Sequence, residues 1–203
     1  MKRILCIFLS LCLLVLGLSA CGGKSDPADG DKPSGDYSSG RHHAEIKVKD
    51  YGTIAVELDA DTAPLTVANF CALANDKFYD GLTFHRIMSG FMIQGGDPEG
   101  NGTGGSGKSL KGEFALNGVE NDLSHTRGVI SMARAKAYDS ASSQFFIMHQ
   151  DNTYLDGQYA AFGHVTSGME VVDAICANTP VIDDNGTVLP ANQPVIESVR
   201  ILD

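Results

Sequence analysis

Leu82-Thr83-Phe84-His85-Arg86-Ile87-Met88 and Phe91-Met92-Ile93-Gln94-Gly95-Gly96 are two short apolar stretches separated by Ser89-Gly90. The first reads as a β-strand. On strict alternation Leu82, Phe84, Arg86 and Met88 share one face, and Thr83, His85 and Ile87 share the other. An arginine on an otherwise apolar strand face is unusual, because burying it unpaired is costly. Taken alone, Arg86 reads more readily as a routine surface charge at the strand's wet end. His85, facing away from it, reads as structural support.

The flanking sequence repeats this texture. Upstream, Glu45-Ile46-Lys47-Val48-Lys49 alternates, Asp50-Tyr51-Gly52 turns, and Thr53-Ile54-Ala55-Val56-Glu57-Leu58 alternates again, which is a hairpin pattern. Between the two regions, Pro64 to Ala74 places Val67, Phe70, Leu73 and Ala74 on one helical face, with Pro64 suited to the first turn. Downstream come short apolar stretches at 128–133, 144–148 and 161–165, a second helix pattern at 169–177 and a closing strand at 195–202. About eight strands and two helices without βαβ alternation favour a closed antiparallel barrel over a parallel sheet.

The first forty residues differ in kind. Lys2-Arg3 precedes an apolar run from Ile4 to Leu18, too short for a membrane-spanning helix of about twenty residues. It ends at Leu18-Ser19-Ala20-Cys21, which is similar to the bacterial lipoprotein box, in which Cys21 becomes the lipidated first residue. Residues 1–20 are therefore expected to be a signal peptide, and the protein an extracytoplasmic, membrane-anchored lipoprotein of the cell envelope. Residues 22–43 are rich in Gly, Ser, Asp and Pro and read as a flexible tether, leaving 44–203 as the folded domain. His42-His43 lacks nearby carboxylates or thiols and is not read as a metal site. Without residues 1–20, which hold Lys2 and Arg3 and no acidic residue, 13 basic residues face 25 acidic ones, a formal charge of −12. That balance argues against nucleic acid as a partner.

Gly102-Thr103-Gly104-Gly105-Ser106-Gly107-Lys108-Ser109 satisfies the letters of a phosphate-binding loop. Such a loop must leave a buried strand and open a helix, so that amides and dipole converge on phosphate. Gly95 to Asn101 cannot be that strand, and Leu110-Lys111-Gly112-Glu113 is no helix start. The stretch reads as surface punctuation.

Seven ordered blocks decide the family. They are Phe84-His85-Arg86-Ile87, Gly90-Phe91-Met92-Ile93-Gln94-Gly95-Gly96-Asp97, Asn101-Gly102-Thr103-Gly104-Gly105, Gly128-Val129-Ile130-Ser131-Met132-Ala133, Ser142-Ser143-Gln144-Phe145-Phe146-Ile147, Leu155-Asp156-Gly157 and Phe162-Gly163-His164-Val165. Together they resemble the cyclophilins, and the likeness spans roughly residues 44–203. The resemblance implies a mostly β, eight-stranded closed barrel with two capping helices. It also implies a peptidyl-prolyl isomerase needing neither cofactor nor metal, and it leaves a monomer expected.

By resemblance, Arg86 is the catalytic cation, and Phe91, Met92, Phe146 and Leu155 match the proline pocket. Gln94 and Gln144 match polar groups that orient Arg86 and substrate. Ala133 and Arg134 match the adjoining groove. Tyr154 stands where many relatives carry tryptophan, and Tyr159 where many carry histidine. Both are expected to bind substrate, with cyclosporin-like ligands held more weakly for want of an indole N–H. The implied helix placement also keeps Cys71 and Cys176 too far apart to pair. The competing function is a module that grips proline-containing polypeptides without turnover; it could dispense with Arg86.

Overall fold

The computed structural model describes residues 35–203. The signal-peptide and Cys21 expectations, with most of the tether, lie outside the described residues. The elements are β1 (Arg41–Val48), β2 (Gly52–Asp59), α1 (Pro64–Asn75), β3 (Thr83–Met88), β4 (Met92–Asp97), β5 (Val129–Met132), β6 (Phe145–Met148), β7 (Ala161–Ser167), α2 (Met169–Asn178) and β8 (Ile196–Ile201). Three short 3₁₀ turns, 115–117, 153–155 and 190–192, punctuate the loops. The β1–β2 hairpin forms as its alternation requires. Ala44, Ile46 and Val48 face inward opposite Val56, Ile54 and Gly52, and Asp50 takes the left-handed φ of 64° at the turn.

Part of the stretch read as a tether, residues 37–43, is packed against the domain. β1 begins at Arg41, and Tyr37 is already buried, its ring meeting His42 edge-on at 5.1 Å. His42 Nδ1 lies 2.9 Å from Asp203 Oδ2, and the His43 N–H donates to Asp203 Oδ1 at 2.7 Å. Composition hid this, because one aromatic ring among Gly, Ser and Asp is enough to fasten the segment.

The eight strands form one antiparallel sheet in the order β3-β4-β6-β5-β7-β2-β1-β8. It curls but does not close, which corrects the closed barrel inferred from sequence. Among the described residues, the end strands meet at the single bridge Thr83–Val195, flanked by Phe84 N–H to Pro194 O (2.9 Å) and Ile196 N–H to Leu82 O (2.8 Å). Beyond Phe84 the edge of β3 is covered by a loop. Ile87 N–H donates to Gly186 O (2.8 Å), and Val188 N–H donates to His85 O (3.0 Å). Pro190 and Pro194 on the approach to β8 have no N–H to give a ladder, so the seam stays a loop contact.

The concave side of the sheet holds the main core. Phe70 of α1 meets Phe145 at 5.6 Å edge-to-face and Tyr79 and Phe162 at 5.1 and 5.4 Å, and Phe84 closes on Phe145 at 6.0 Å. Such offset geometries suit the ring quadrupoles. Helix α1 begins at Pro64 without a side-chain cap of its own. The buried Glu113 carboxylate replaces one, accepting from the Leu65 and Thr66 N–H groups (3.0 and 2.8 Å) and from Thr66 Oγ1 (2.6 Å). Cys71 is buried in α1 and Cys176 half-buried in α2, both as free thiols. Burial pushes the Cys71 thiol up to about 12 and Cys176 up to about 11.

Candidate active site

The site begins with a break in strand alternation. Phe84 pairs with Gly95, yet Arg86 pairs with Gln94, so His85 is an extra residue on β3. Gly96, with φ of 81°, is the compensating extra residue on β4. There a Cβ would lie 2.6 Å from Ser143 O, so only glycine fits this bulge. The consequence is a change of face. Phe84 and Ile87 both enter the main core, while Arg86 and Met88 point to the convex side. Strict alternation had put Phe84 with Arg86; the bulge separates them. His85 sits between the two sets, buried, with neither ring nitrogen hydrogen-bonded. Burial, with Arg86 nearby, holds its pKa below the usual histidine range, against the opposing charge of Asp97.

On the convex face cross-strand pairing does the positioning. Arg86 lies opposite Gln94, Met88 opposite Met92, and Gln94 opposite Phe146. The Arg86 guanidinium is held at three nitrogens. Nε donates to Asn185 O (2.8 Å), Nη1 to Gln94 Oε1 (3.2 Å) and Nη2 to Met88 Sδ (3.0 Å). Behind it the chain of donors continues, from Gln94 Nε2 to Gln144 Oε1 (2.9 Å) and from Gln144 Nε2 to Gly104 O (2.8 Å). Partial burial pushes the arginine's pKa down, and Tyr159 and Asp183 oppose that shift. An arginine stays cationic regardless.

Beside Arg86 opens a cavity of about 200 Å³, lined by Arg86, Phe91, Met92, Gln94, Ala133, Arg134, Phe146, Leu155 and Tyr159. None of these is Ser, Cys, His, Asp or Glu, so the cavity offers the apolar side chains of Phe91, Met92, Phe146 and Leu155, two guanidiniums and the Tyr159 phenol. A neighbouring cavity of about 170 Å³ shares Gln94, Ala133 and Arg134 and adds Gly102, Gly104 and Gln144. The stretch read as surface punctuation thus walls the second cavity and anchors Gln144. Arg134 separates the two. It donates to Gln158 O through Nε and Nη2 (3.0 and 2.8 Å), and its guanidinium lies 4.6 Å over the Tyr159 ring and 5.1 Å over Phe114 and Tyr138. Tyr159 in turn meets Phe146 edge-on at 5.9 Å.

Most of the expected site residues therefore converge, Gln144 through its bond to Gln94. Tyr154 does not: it is 81% exposed on the rim and lines neither cavity. Sequence reading missed a second layer. His125 Nδ1 lies 2.8 Å from Asp156 Oδ1, and its Nε2 lies 3.0 Å from Ser131 Oγ. The three residue types match a hydrolytic triad, but Ser131 and His125 are fully enclosed and line neither cavity. Their use is mechanical. The His125 ring stacks on Phe146 at 6.0 Å, and Asp156 follows Leu155, so one imidazole braces two pocket walls. Burial pushes His125 down against the raising effect of Asp156. Asn185 and Asp183, a hundred residues from Arg86, carried no signal in the sequence.

Comparison with known proteins agrees with this geometry. The family model described as cyclophilin type peptidyl-prolyl cis-trans isomerase/CLD matches residues 43–202. Peptidyl-prolyl cis-trans isomerase B of Bacillus subtilis is 49% identical over 123 residues, covering 61% of this chain and 82% of that one. A Helicobacter pylori peptidyl-prolyl cis-trans isomerase is 47% identical over 135 residues, covering 66% and 79%. A crystal structure of a Cryptosporidium parvum cyclophilin-type isomerase superposes with a TM-score of 0.71 at 31% identity, covering 81% of this chain and 99% of that one. A second structure of that protein, in the presence of the dipeptide Ala-Pro, gives 0.69 at 31% identity, covering 79% and 99%. A bulged strand that turns one arginine onto a cavity walled by Phe91, Met92, Phe146 and Leu155, matched by a family model over nearly all the described residues, makes this chain a member of the cyclophilin-type peptidyl-prolyl cis–trans isomerase family.

Proposed function

We propose that this protein rotates Xaa–Pro peptide bonds in exported polypeptides, with Arg86 stabilising the twisted amide. The observation that carries the reading is the Arg86 guanidinium, fixed at three nitrogens on the wall of the cavity beside Phe91, Met92, Phe146 and Leu155. An Xaa–Pro amide isomerises over tens to hundreds of seconds because twisting it breaks conjugation, at a barrier of about 18–20 kcal/mol. Millisecond turnover needs that barrier lowered by roughly 6–7 kcal/mol. No bond is made or broken, so the site has only to bind the twisted amide better than either planar form.

In the twisted state the proline nitrogen regains a basic lone pair. A pre-oriented cationic donor aimed at it acts only there, which raises kcat rather than affinity. Phe91, Met92, Phe146, Leu155 and Tyr159 grip the ring while the preceding carbonyl swings. The isomerisation rate of a short Xaa–Pro peptide, wild type against Arg86→Ala, tests the reading. A large loss in the variant is expected. Equal rates would reject the arginine mechanism, and equal rates at the uncatalysed level would leave a proline-gripping module without turnover.

The location is part of the same proposal. The apolar run from Ile4 to Leu18 and the following Cys21 support a lipid anchor, and a multi-chain lipid on one cysteine can hold a protein at a membrane. Wild type should partition into detergent and Cys21→Ser into water; aqueous partitioning of both would reject the anchor. Cyclosporin-like ligands should bind weakly, because Tyr154 offers no indole N–H. Tyr154→Trp should tighten cyclosporin binding, and an unchanged affinity would remove that explanation.

A further inference from the structure

The loop that closes the β3–β8 seam makes one contact that seam closure does not require. Asp183 O accepts from the Gly186 N–H at 3.0 Å, which defines a tight turn over Asp183-Asp184-Asn185-Gly186. The Asp183 carboxylate ties this turn to the residue that follows it by accepting from the Thr187 N–H at 2.9 Å, and aspartate is a favoured first residue of such turns. The turn then grips β3 on both sides of Arg86, through Ile87 N–H to Gly186 O (2.8 Å) and Val188 N–H to His85 O (3.0 Å). Within that bracket the Asn185 carbonyl accepts from Arg86 Nε at 2.8 Å. Gly186 has φ of 79°, and a Cβ there would stand 2.3 Å from Ile87 O, so only glycine lets the turn approach this closely.

We propose that the Asp183–Gly186 turn is a positioning device for catalysis, whose Asn185 carbonyl fixes the plane of the Arg86 guanidinium against the substrate amide. The inference rests on Arg86 being the charge-stabilising group. Gln94 and Met88 hold the two terminal nitrogens, but both are side-chain atoms with torsional freedom. The Asn185 carbonyl is backbone, clamped at both ends to the strand that bears Arg86. It is the rigid member of the three. Losing it leaves the cation near the site but free to tilt, a change that costs rate more than binding.

Steady-state kcat and KM on one Xaa–Pro peptide test this, with thermal unfolding recorded for every variant. Asp183→Ala should lower kcat about tenfold with KM within about twofold, the loss expected of one hydrogen bond. Asp183→Asn, which keeps an acceptor oxygen, should stay near wild type. Gly186→Ala should reach about a hundredfold loss, since it moves the turn off β3. The decisive arm is an Arg86→Lys background. Lysine has no guanidinium plane to fix, so Asp183→Ala should then have no further effect. The proposal fails if folded Asp183→Ala keeps full kcat, if KM moves in place of kcat, or if the loss is the same in the Arg86→Lys background. Should Arg86→Ala itself retain full activity, the isomerase mechanism fails instead, and that outcome is separately visible.

Discussion

Phe145 and Phe146 are adjacent in sequence, alike in chemistry and both buried, yet they belong to different machines. Phe145 points to the concave side, where Phe70, Tyr79 and Phe84 surround it. Phe146 points to the convex side, opposite Gln94, with His125 stacked beneath it and the proline-sized cavity beside it. One residue of strand period separates the ring that holds the fold from the ring that lines the cavity proposed for substrate. Burial by itself says nothing about which role a residue plays; the face does.

Substitution at the two rings is the strongest way to break that comparison. Phe145→Ala should cost about 3–5 kcal/mol in denaturant unfolding, because aromatic partners enclose the vacated volume. Phe146→Ala borders a cavity already open to solvent and should cost about 1–2 kcal/mol, while raising KM for a proline peptide at least tenfold. Equal stability losses with unchanged KM would erase the distinction. Glu113 gives a smaller test on the structural side. Glu113→Ala leaves the Leu65 and Thr66 amides of α1 without their acceptor and should cost about 1–3 kcal/mol, with kcat unchanged. A fall in kcat in the folded variant would show that the helix end reaches the convex face.

The smallest effect separates the faces by pH. His85 and His125 both have folded pKa values below the ordinary histidine value, principally through burial. Protons therefore bind the unfolded chain first. The stability from both groups is present above about 6.5 and is lost as pH falls below it. Arg86 does not titrate in this range, and no acid or base takes part in the proposed step. Denaturation midpoints should fall from pH 7 to pH 5 while kcat of the folded enzyme stays flat. A kcat that titrates with a midpoint near 6.5 would place a histidine in the chemistry.

What was legible in the sequence follows the same division. The hairpin at 45–58, the helix opened by Pro64 and the ordered blocks around Arg86 were readable, because local periodicity and short motifs decide them. The bulge at His85 was not, since it is defined by a partner strand and inverts which side chains accompany Arg86. The open seam depends on where two prolines fall relative to an edge three-dimensional pairing creates. In the sealed Ser131–His125–Asp156 brace Asp156 lies 31 positions from His125, and the Asn185 carbonyl lies 99 positions from Arg86, with no periodic signature to connect them. Tyr154 was legible only through the family resemblance, and it stands exposed on the rim in the 3₁₀ turn at 153–155.

The central claim is that the convex cavity binds proline while Arg86 twists the amide. Exchange spectroscopy on a proline peptide at saturating concentration measures both on one sample. With Arg86→Ala, the account predicts peptide affinity within about threefold of wild type and on-enzyme cis–trans exchange slower by about 10²–10³. Exchange at the wild-type rate, or affinity and exchange falling together, would contradict it.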